Sequence, residues 1–133
     1  MATDLLQRVK EAIVAILDTA AGIVAITERP DGNIVPWKDL SDATLPVLAY
    51  FIVTANEIGG IGDTRQVDIQ FTASASDDSV VNALLEQVEL TFVEPAFAAQ
   101  NLNAYVSSRS RQPSPDEEDV QRGDLDISII VTK

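Results

Sequence analysis

The sequence predicts an α+β domain: a mainly antiparallel sheet, two helices packed on one face of it, and a long arm between the last two strands. Three observations lead to this prediction. Apolar residues recur at helical spacing in two segments, other segments alternate apolar and polar residues, and a strongly polar stretch separates two of the predicted strands. A length of 133 residues suits one domain spanning residues 1–133.

The N-terminal segment 3–20 is predicted to be an amphipathic helix. Its apolar residues recur three and four positions apart, as one buried stripe requires: Leu5, Leu6, Val9, Ile13, Ile16 and Leu17. The next apolar residues, Ile23–Ile26, favour a short strand. Arg29–Pro46 is interrupted by proline and glycine, which indicates an irregular connection anchored by Trp37.

A β-hairpin is predicted over residues 47–74. Val47–Asn56 is almost continuously apolar, which is typical of a strand buried on both faces in the middle of a sheet. A glycine-rich turn follows, and segment 65–74 then alternates, with Val67, Ile69, Phe71 and Ala73 on one face.

The second predicted helix covers residues 76–92. Its buried stripe consists of Val81, Leu84, Leu85, Val88 and Phe92, and Pro95 is placed to begin one extra helical turn. Segments 103–110 and 123–133 are then predicted strands, of which the second alternates more clearly.

The polar stretch Arg109–Arg122 lies between those last two strands and is therefore predicted to be an arm rather than a tail. It holds two prolines and charges of both signs, and loops of this length in compact domains are usually functional or disordered. We expect it to order against a partner chain; a merely flexible loop is the alternative. The predicted interface residues are its charged ones: Arg109, Arg111, Asp116, Glu117, Glu118, Asp119 and Arg122.

Composition excludes several classes of function. The chain has 21 acidic and 9 basic residues, a net charge of −12, and no basic stripe to grip nucleic acid. It has no cysteine and no histidine, so the common zinc sites and histidine-based triads are absent. No signal peptide and no membrane-spanning run is visible, so we expect a soluble protein of a reducing compartment, without a cofactor.

Two groups of carboxylates are the remaining candidates for chemistry. Asp116–Asp119 has oxygen ligands that suit Ca²⁺ or Mg²⁺, but a solvated acidic loop is the simpler interpretation. Asp68 and Asp126 lie on polar strand faces and are candidates for a catalytic pair of carboxylates. The simpler interpretation is that they are solvated acids, which are common on an exposed sheet face. The sequence therefore gives no positive case for an enzyme.

Several segments in this order resemble one protein family. An N-terminal helix leads to ITERPDGNIVPW, then to a Leu-Pro before a hydrophobic strand in TLPVLAYFIV, then to a Gly-Asp-Thr turn in GDTRQVDIQFTAS, followed by a helix and two late strands. This layout resembles the tail terminator, or tail completion, proteins of long-tailed bacteriophages and gene-transfer particles.

The resemblance implies a structural protein of the virion with no catalytic residues. Such proteins form a hexameric ring that caps the head-proximal end of the tail tube, stops its polymerisation and joins the head connector. The implied partners are further copies of the chain, the tail tube protein and a head-closure or connector protein, with assembly in the bacterial cytoplasm. DNA passes through the lumen without specific binding, and no membrane is involved.

Three alternatives stay open at the level of sequence. One is another neck component, such as a head-closure protein or connector adaptor. The second is a monomeric acidic module that binds a basic partner protein. The third is a histidine-free enzyme with a carboxylate-lined pocket.

Overall fold

The structure is a computed structural model, and it describes residues 5–18, 20–28, 33–42, 44–58, 61–100, 102–113 and 120–132. It confirms the α+β class. The elements are α1 (Leu5–Asp18), α2 (Ala21–Thr27), β1 (Ile34–Pro36), a 3-10 helix (Trp37–Asp42), β2 (Val47–Ile58), β3 (Ile61–Ala75), α3 (Asp78–Thr91), α4 (Glu94–Ala99), β4 (Asn103–Pro113) and β5 (Gln121–Thr132).

The sheet has five strands in the order β1-β2-β3-β5-β4. All neighbours pair antiparallel except the three-residue β1, which runs parallel to β2. The predicted hairpin is confirmed as β2 and β3, and the two late strands are confirmed as β4 and β5. The sheet is therefore mainly antiparallel, as the sequence predicts.

One core joins all four helices to a single face of the sheet. The alternating residues of β3 predicted to share a face are buried, and so is the whole predicted stripe of the second helix. Phe92, at the end of α3, packs edge-to-face against Phe71 at 5.3 Å and against Phe97 at 4.6 Å between ring centroids. These three rings tie α3, α4 and the sheet together.

Residues 21–27 form a helix, so the short strand predicted over Ile23–Ile26 is wrong. The β-branched side chains favour a strand locally, but Ile23 is fully buried in the core, where α2 packs against α1 and α3. Thr27 is buried as well, and its hydroxyl donates to the carbonyl of Ile23 at 3.0 Å. Tertiary packing has overridden local propensity. With α4, which carries Pro95 in its first turn, the described helices number four rather than two.

The connection predicted to be irregular contains β1 and the 3-10 helix. Asn33 organises it: its side-chain amide donates to the carbonyls of Thr44 at 2.6 Å and Pro46 at 2.7 Å. Trp37 does not anchor the connection in the core, because the side chain is 44% exposed.

Strand β2 is buried on both faces only at its start, which corrects the prediction for Val47–Asn56. Val47, Leu48 and Ala49 are fully buried, whereas Phe51 is 48% and Val53 51% exposed. Val35 of β1 packs against Val47 and Ala49, but β1 pairs with β2 no further than Tyr50. The outer half of β2 therefore lacks the neighbour that would cover it.

The predicted arm is shorter than Arg109–Arg122. Residues 109–113 belong to β4 and residues 121–122 to β5, where pairing continues to Pro113 opposite Gly123. The polar residues extend the hairpin because backbone ladder bonds do not require apolar side chains. Residues 114–119 lie outside the described residues.

No helix among the described residues is both long enough and apolar enough to cross a membrane.

Replacement of Phe92 by alanine tests the aromatic core. We expect Phe92→Ala to lower the free energy of unfolding by about 3–5 kcal/mol, because it removes a fully buried ring and leaves a cavity. Tyr105→Ala, at a side chain of β4 that is 61% exposed, is the control and should lower it by less than about 1 kcal/mol. Urea unfolding monitored by circular dichroism measures both. Equal losses for the two variants would contradict the assigned core.

Candidate interaction surfaces

The face of the sheet opposite the core carries a polar and acidic patch along β3 and β5, with the apolar side chain of Phe51 beside it on β2. We call it the open face and define it by Thr54, Asp68, Gln70, Thr72, Asp124, Asp126 and Ser128. Apart from Thr54, which lies on β2 opposite Asp68, these residues alternate along β3 and β5 with the buried residues of the core, so their side chains project to the other face. The strand register thus places three carboxylates on one surface.

Asp68 lies at the centre of a hydrogen-bond group on the open face. Its carboxylate accepts from the hydroxyl of Ser128 and from the hydroxyl of Thr54, each at 2.5 Å. These bonds, with that from Ser128 the strongest, hold the pKa of Asp68 below its ordinary value of 3.8. Four residues further along β3, the hydroxyl of Thr72 donates to Asp124 of β5 at 2.7 Å.

Asp126 is in the opposite electrostatic situation. Burial raises the pKa of Asp126 above 3.8, and the negative charges of Asp124 and Asp68 add to the effect. Asp68 and Asp126, the candidate acid–base pair of the sequence, both line a shallow groove of about 440 Å³. The fold therefore brings the two carboxyls together, with Asp68 held charged by its neighbours.

No metal site accompanies these carboxylates. Within the described ranges, no group of three or more histidine, cysteine, aspartate or glutamate side chains is arranged to hold an ion.

The opposed pKa shifts predict opposite effects for two conservative substitutions. Asp68→Asn should lower the free energy of unfolding at pH 7 by about 0.5–1 kcal/mol, because it weakens charge-assisted hydrogen bonds that solvent partly screens. This loss of stability should be complete above pH 5. It should shrink below about pH 3.8, because the Asp68 carboxyl of the unaltered chain then becomes protonated.

Asp126→Asn should instead raise the free energy of unfolding at pH 7, because it removes a charge that the folded state disfavours. That gain in stability should vanish as the pH falls below about 3.8, because the Asp126 carboxyl of the unaltered chain is then protonated in the folded and in the unfolded state. Thermal unfolding from pH 3 to pH 7 measures both variants. Shifts of the same sign at pH 7 would contradict this account of the open face.

A second surface is an apolar groove at the β1–β2 side of the sheet. It has a volume of about 390 Å³ and is lined by Lys10, Pro36, Trp37, Lys38, Tyr50, Phe51 and Ile52. Lys10 and Lys38 are exposed and supply its charge. Neither ammonium group has a carboxylate of a described residue within 4 Å. The apolar groove is thus positively charged in a strongly acidic chain.

A third surface lies at the C-terminal end of α3. Leu90 is 65% exposed there, one helical turn after the exposed Glu86, and Glu94 follows at the start of α4. We call Glu86, Leu90 and Glu94 the acidic knob. The carboxylate of Glu94 accepts from the backbone N–H of Val106 at 3.1 Å, which fixes the knob against β4. The backbone N–H of Glu94 itself and then that of Val106 hold the pKa of Glu94 below its usual range.

The residues predicted for the interface arm are placed differently from one another. Arg109 and Arg111 project from β4 toward α3: Arg109 donates to the carbonyl of Phe92 at 3.4 Å, and Arg111 pairs with Glu89 at 2.5 Å. Arg122 lies in β5 opposite Ser74 and is half-buried. Both β4 arginines bond within their own chain, which corrects their placement in an extended arm, while the interface role of Arg109, Arg111 and Arg122 stays a prediction. Asp116, Glu117, Glu118 and Asp119 lie outside the described residues, and their role in an interface stays a prediction.

Sequence reasoning missed the apolar groove and the acidic knob. Leu90 was a visible signal, because it is an apolar residue off the buried stripe of α3 with an acid four positions away on either side. Phe51 and Val53 gave no comparable signal, since exposed and doubly buried strands have the same apolar composition.

Comparisons with known proteins show a similarity at the level of fold. No protein-family model and no curated protein matches the chain. A solved chain from the "virion of native gene transfer agent (GTA) particle" superposes with a TM-score of 0.65 at 11% sequence identity. The two chains share a fold. The similarity covers 99% of this chain and 100% of the other, so it extends over essentially the whole of both chains.

Proposed function

We propose that this chain is a structural virion protein that forms a ring on the head-proximal end of a phage-type tail tube. The ring ends polymerisation of the tube and joins the tail to the head connector. The observation that supports this most is the end-to-end similarity of fold to a chain of a gene transfer agent virion. The segment order that resembles the tail terminator proteins supports the same role.

The charge of the chain suits a ring through which DNA passes. Each copy carries a net charge of −12, and the open face displays Asp68, Asp124 and Asp126. A surface of this sign repels phosphates instead of binding them. In the proposed ring, DNA crosses the lumen without being held, and the protein has no catalytic role.

The proposed partners are further copies of the chain, the tail tube protein and a head-closure or connector protein. A ring needs two different surfaces on each subunit. The apolar groove and the acidic knob are two such surfaces, and both expose large apolar side chains. The protein then acts in the tail or neck of the particle and assembles in the bacterial cytoplasm.

A head-closure protein or connector adaptor is the second candidate. It is favoured by the same fold similarity, because likeness to a virion chain does not specify a position within the particle.

An assembly assay with the tail tube protein of the same phage or element tests the proposal. The chain, carrying a small gold label, is added to polymerising tubes, and the tubes are imaged by negative-stain electron microscopy. We expect label at one end of each tube and a shorter mean length as more protein is added.

Three other outcomes would count against tube capping. Label along the walls, label at both ends, or unchanged tube length would contradict it. Label on isolated head connectors but not on tubes would support the second candidate instead.

A further inference from the structure

Two of the exposed apolar surfaces carry opposite charges. The apolar groove is a concave site whose aromatic lining, Trp37 and Phe51, is 44% and 48% exposed. In the acidic knob, Leu90 is 65% exposed near the C-terminal end of α3. Exposed apolar side chains rimmed by charged ones are typical of protein–protein contacts.

The charges around the two surfaces are opposite. Lys10 and Lys38 line the groove, and no described carboxylate neutralises either one within 4 Å. Glu86 and Glu94 lie on either side of Leu90 in sequence, each four residues away. A leucine in the groove would therefore bring glutamates toward lysines, an arrangement that favours this partner over others.

The two surfaces lie on opposite sides of the sheet and cannot meet within one chain. The groove is formed at β1 and β2, whereas the knob is fixed to β4 through Glu94 and Val106. Strands β3 and β5 separate β2 from β4. A contact between groove and knob must therefore join two copies of the chain. The resulting pair still has one unoccupied groove and one unbound knob. Such a head-to-tail contact repeats from copy to copy, and it forms a ring when the rotation between neighbouring copies closes.

We propose that the apolar groove of one subunit receives the acidic knob of a second copy of this chain, and that this is the contact that builds the ring. Leu90 packs between Trp37 and Phe51, while Glu86 and Glu94 approach Lys38 and Lys10. This inference rests on the proposed ring and names the surfaces that form it.

Two variants test the contact, one on each surface. The groove variant is Lys10→Glu with Lys38→Glu, and the knob variant is Leu90→Glu. Each substituted side chain is exposed, so neither variant should change the unfolding temperature appreciably. In sedimentation velocity, each should remain monomeric where the unaltered chain assembles. At the least, each variant should need a protein concentration about tenfold higher to assemble, which corresponds to a loss of about 1.4 kcal/mol of binding free energy at each contact.

Mixing the two variants gives the sharpest result. The groove variant keeps a native knob, and the knob variant keeps a native groove, so one native contact is possible in the mixture. The second contact would bring Glu against Glu and should fail. We expect a species of twice the chain mass that grows no further.

Tyr105→Glu is the matched control. The side chain of Tyr105 is 61% exposed, which is similar to the 65% of Leu90. Tyr105 lies on β4, however, and lines neither surface. This variant should assemble like the unaltered chain.

Rings formed by the groove or knob variant, or a mixture that stays monomeric although both variants are folded, would overturn the inference. Neither result would contradict the proposal that the unaltered chain caps tail tubes. An unaltered chain that neither assembles nor caps tubes would overturn the proposed function and the inference with it. If the unaltered chain assembles only on tube ends, the number of labelled subunits per end is the readout for the same variants.

Discussion

The antiparallel pairing of β3 with β5 is the interaction on which the rest of the structure depends. It is continuous from Thr64 opposite Thr132 to Ala75 opposite Gln121, without a register shift. Because side chains alternate, this register directs one set of residues into the core and the other to the open face. A slip of β5 by one residue against β3 would exchange the two sets of side chains of β5, placing Asp124 and Asp126 under the helices. The cost of burying unpaired carboxylates enforces the register.

The surfaces available for assembly follow from the same constraint. All four α-helices share a core with one sheet face, so the acidic side chains of β3 and β5 lie on the other face. At one side of the sheet, β1 ends after three residues and leaves Phe51 exposed beside the apolar groove. At the other side, α3 and α4 overhang β4 and present Leu90. The chain therefore displays two different apolar surfaces on opposite sides, as a ring-forming subunit requires.

The sequence predicts the strongly periodic elements well and the context-dependent ones poorly. The stripe of α3 and the alternation of β3 and β5 were predictable, because burial on one side leaves a regular pattern. The helix at Ala21–Thr27 was not, since Ile23 and its β-branched neighbours favour a strand until packing decides otherwise. Arg109 and Arg111 were predicted to be interface residues of an arm, because sequence alone does not show that they extend β4 and bond to α3 and its C-terminal end.

The central claim is that this chain assembles with itself into a closed ring. Native mass spectrometry of the unaltered protein, over a range of concentrations and salt, tests it most directly. The account predicts one discrete assembly at six times the chain mass of 14.3 kDa, with few intermediates because closure stabilises the complete ring. A monomer at every concentration, both alone and eluted from tube ends, would contradict it.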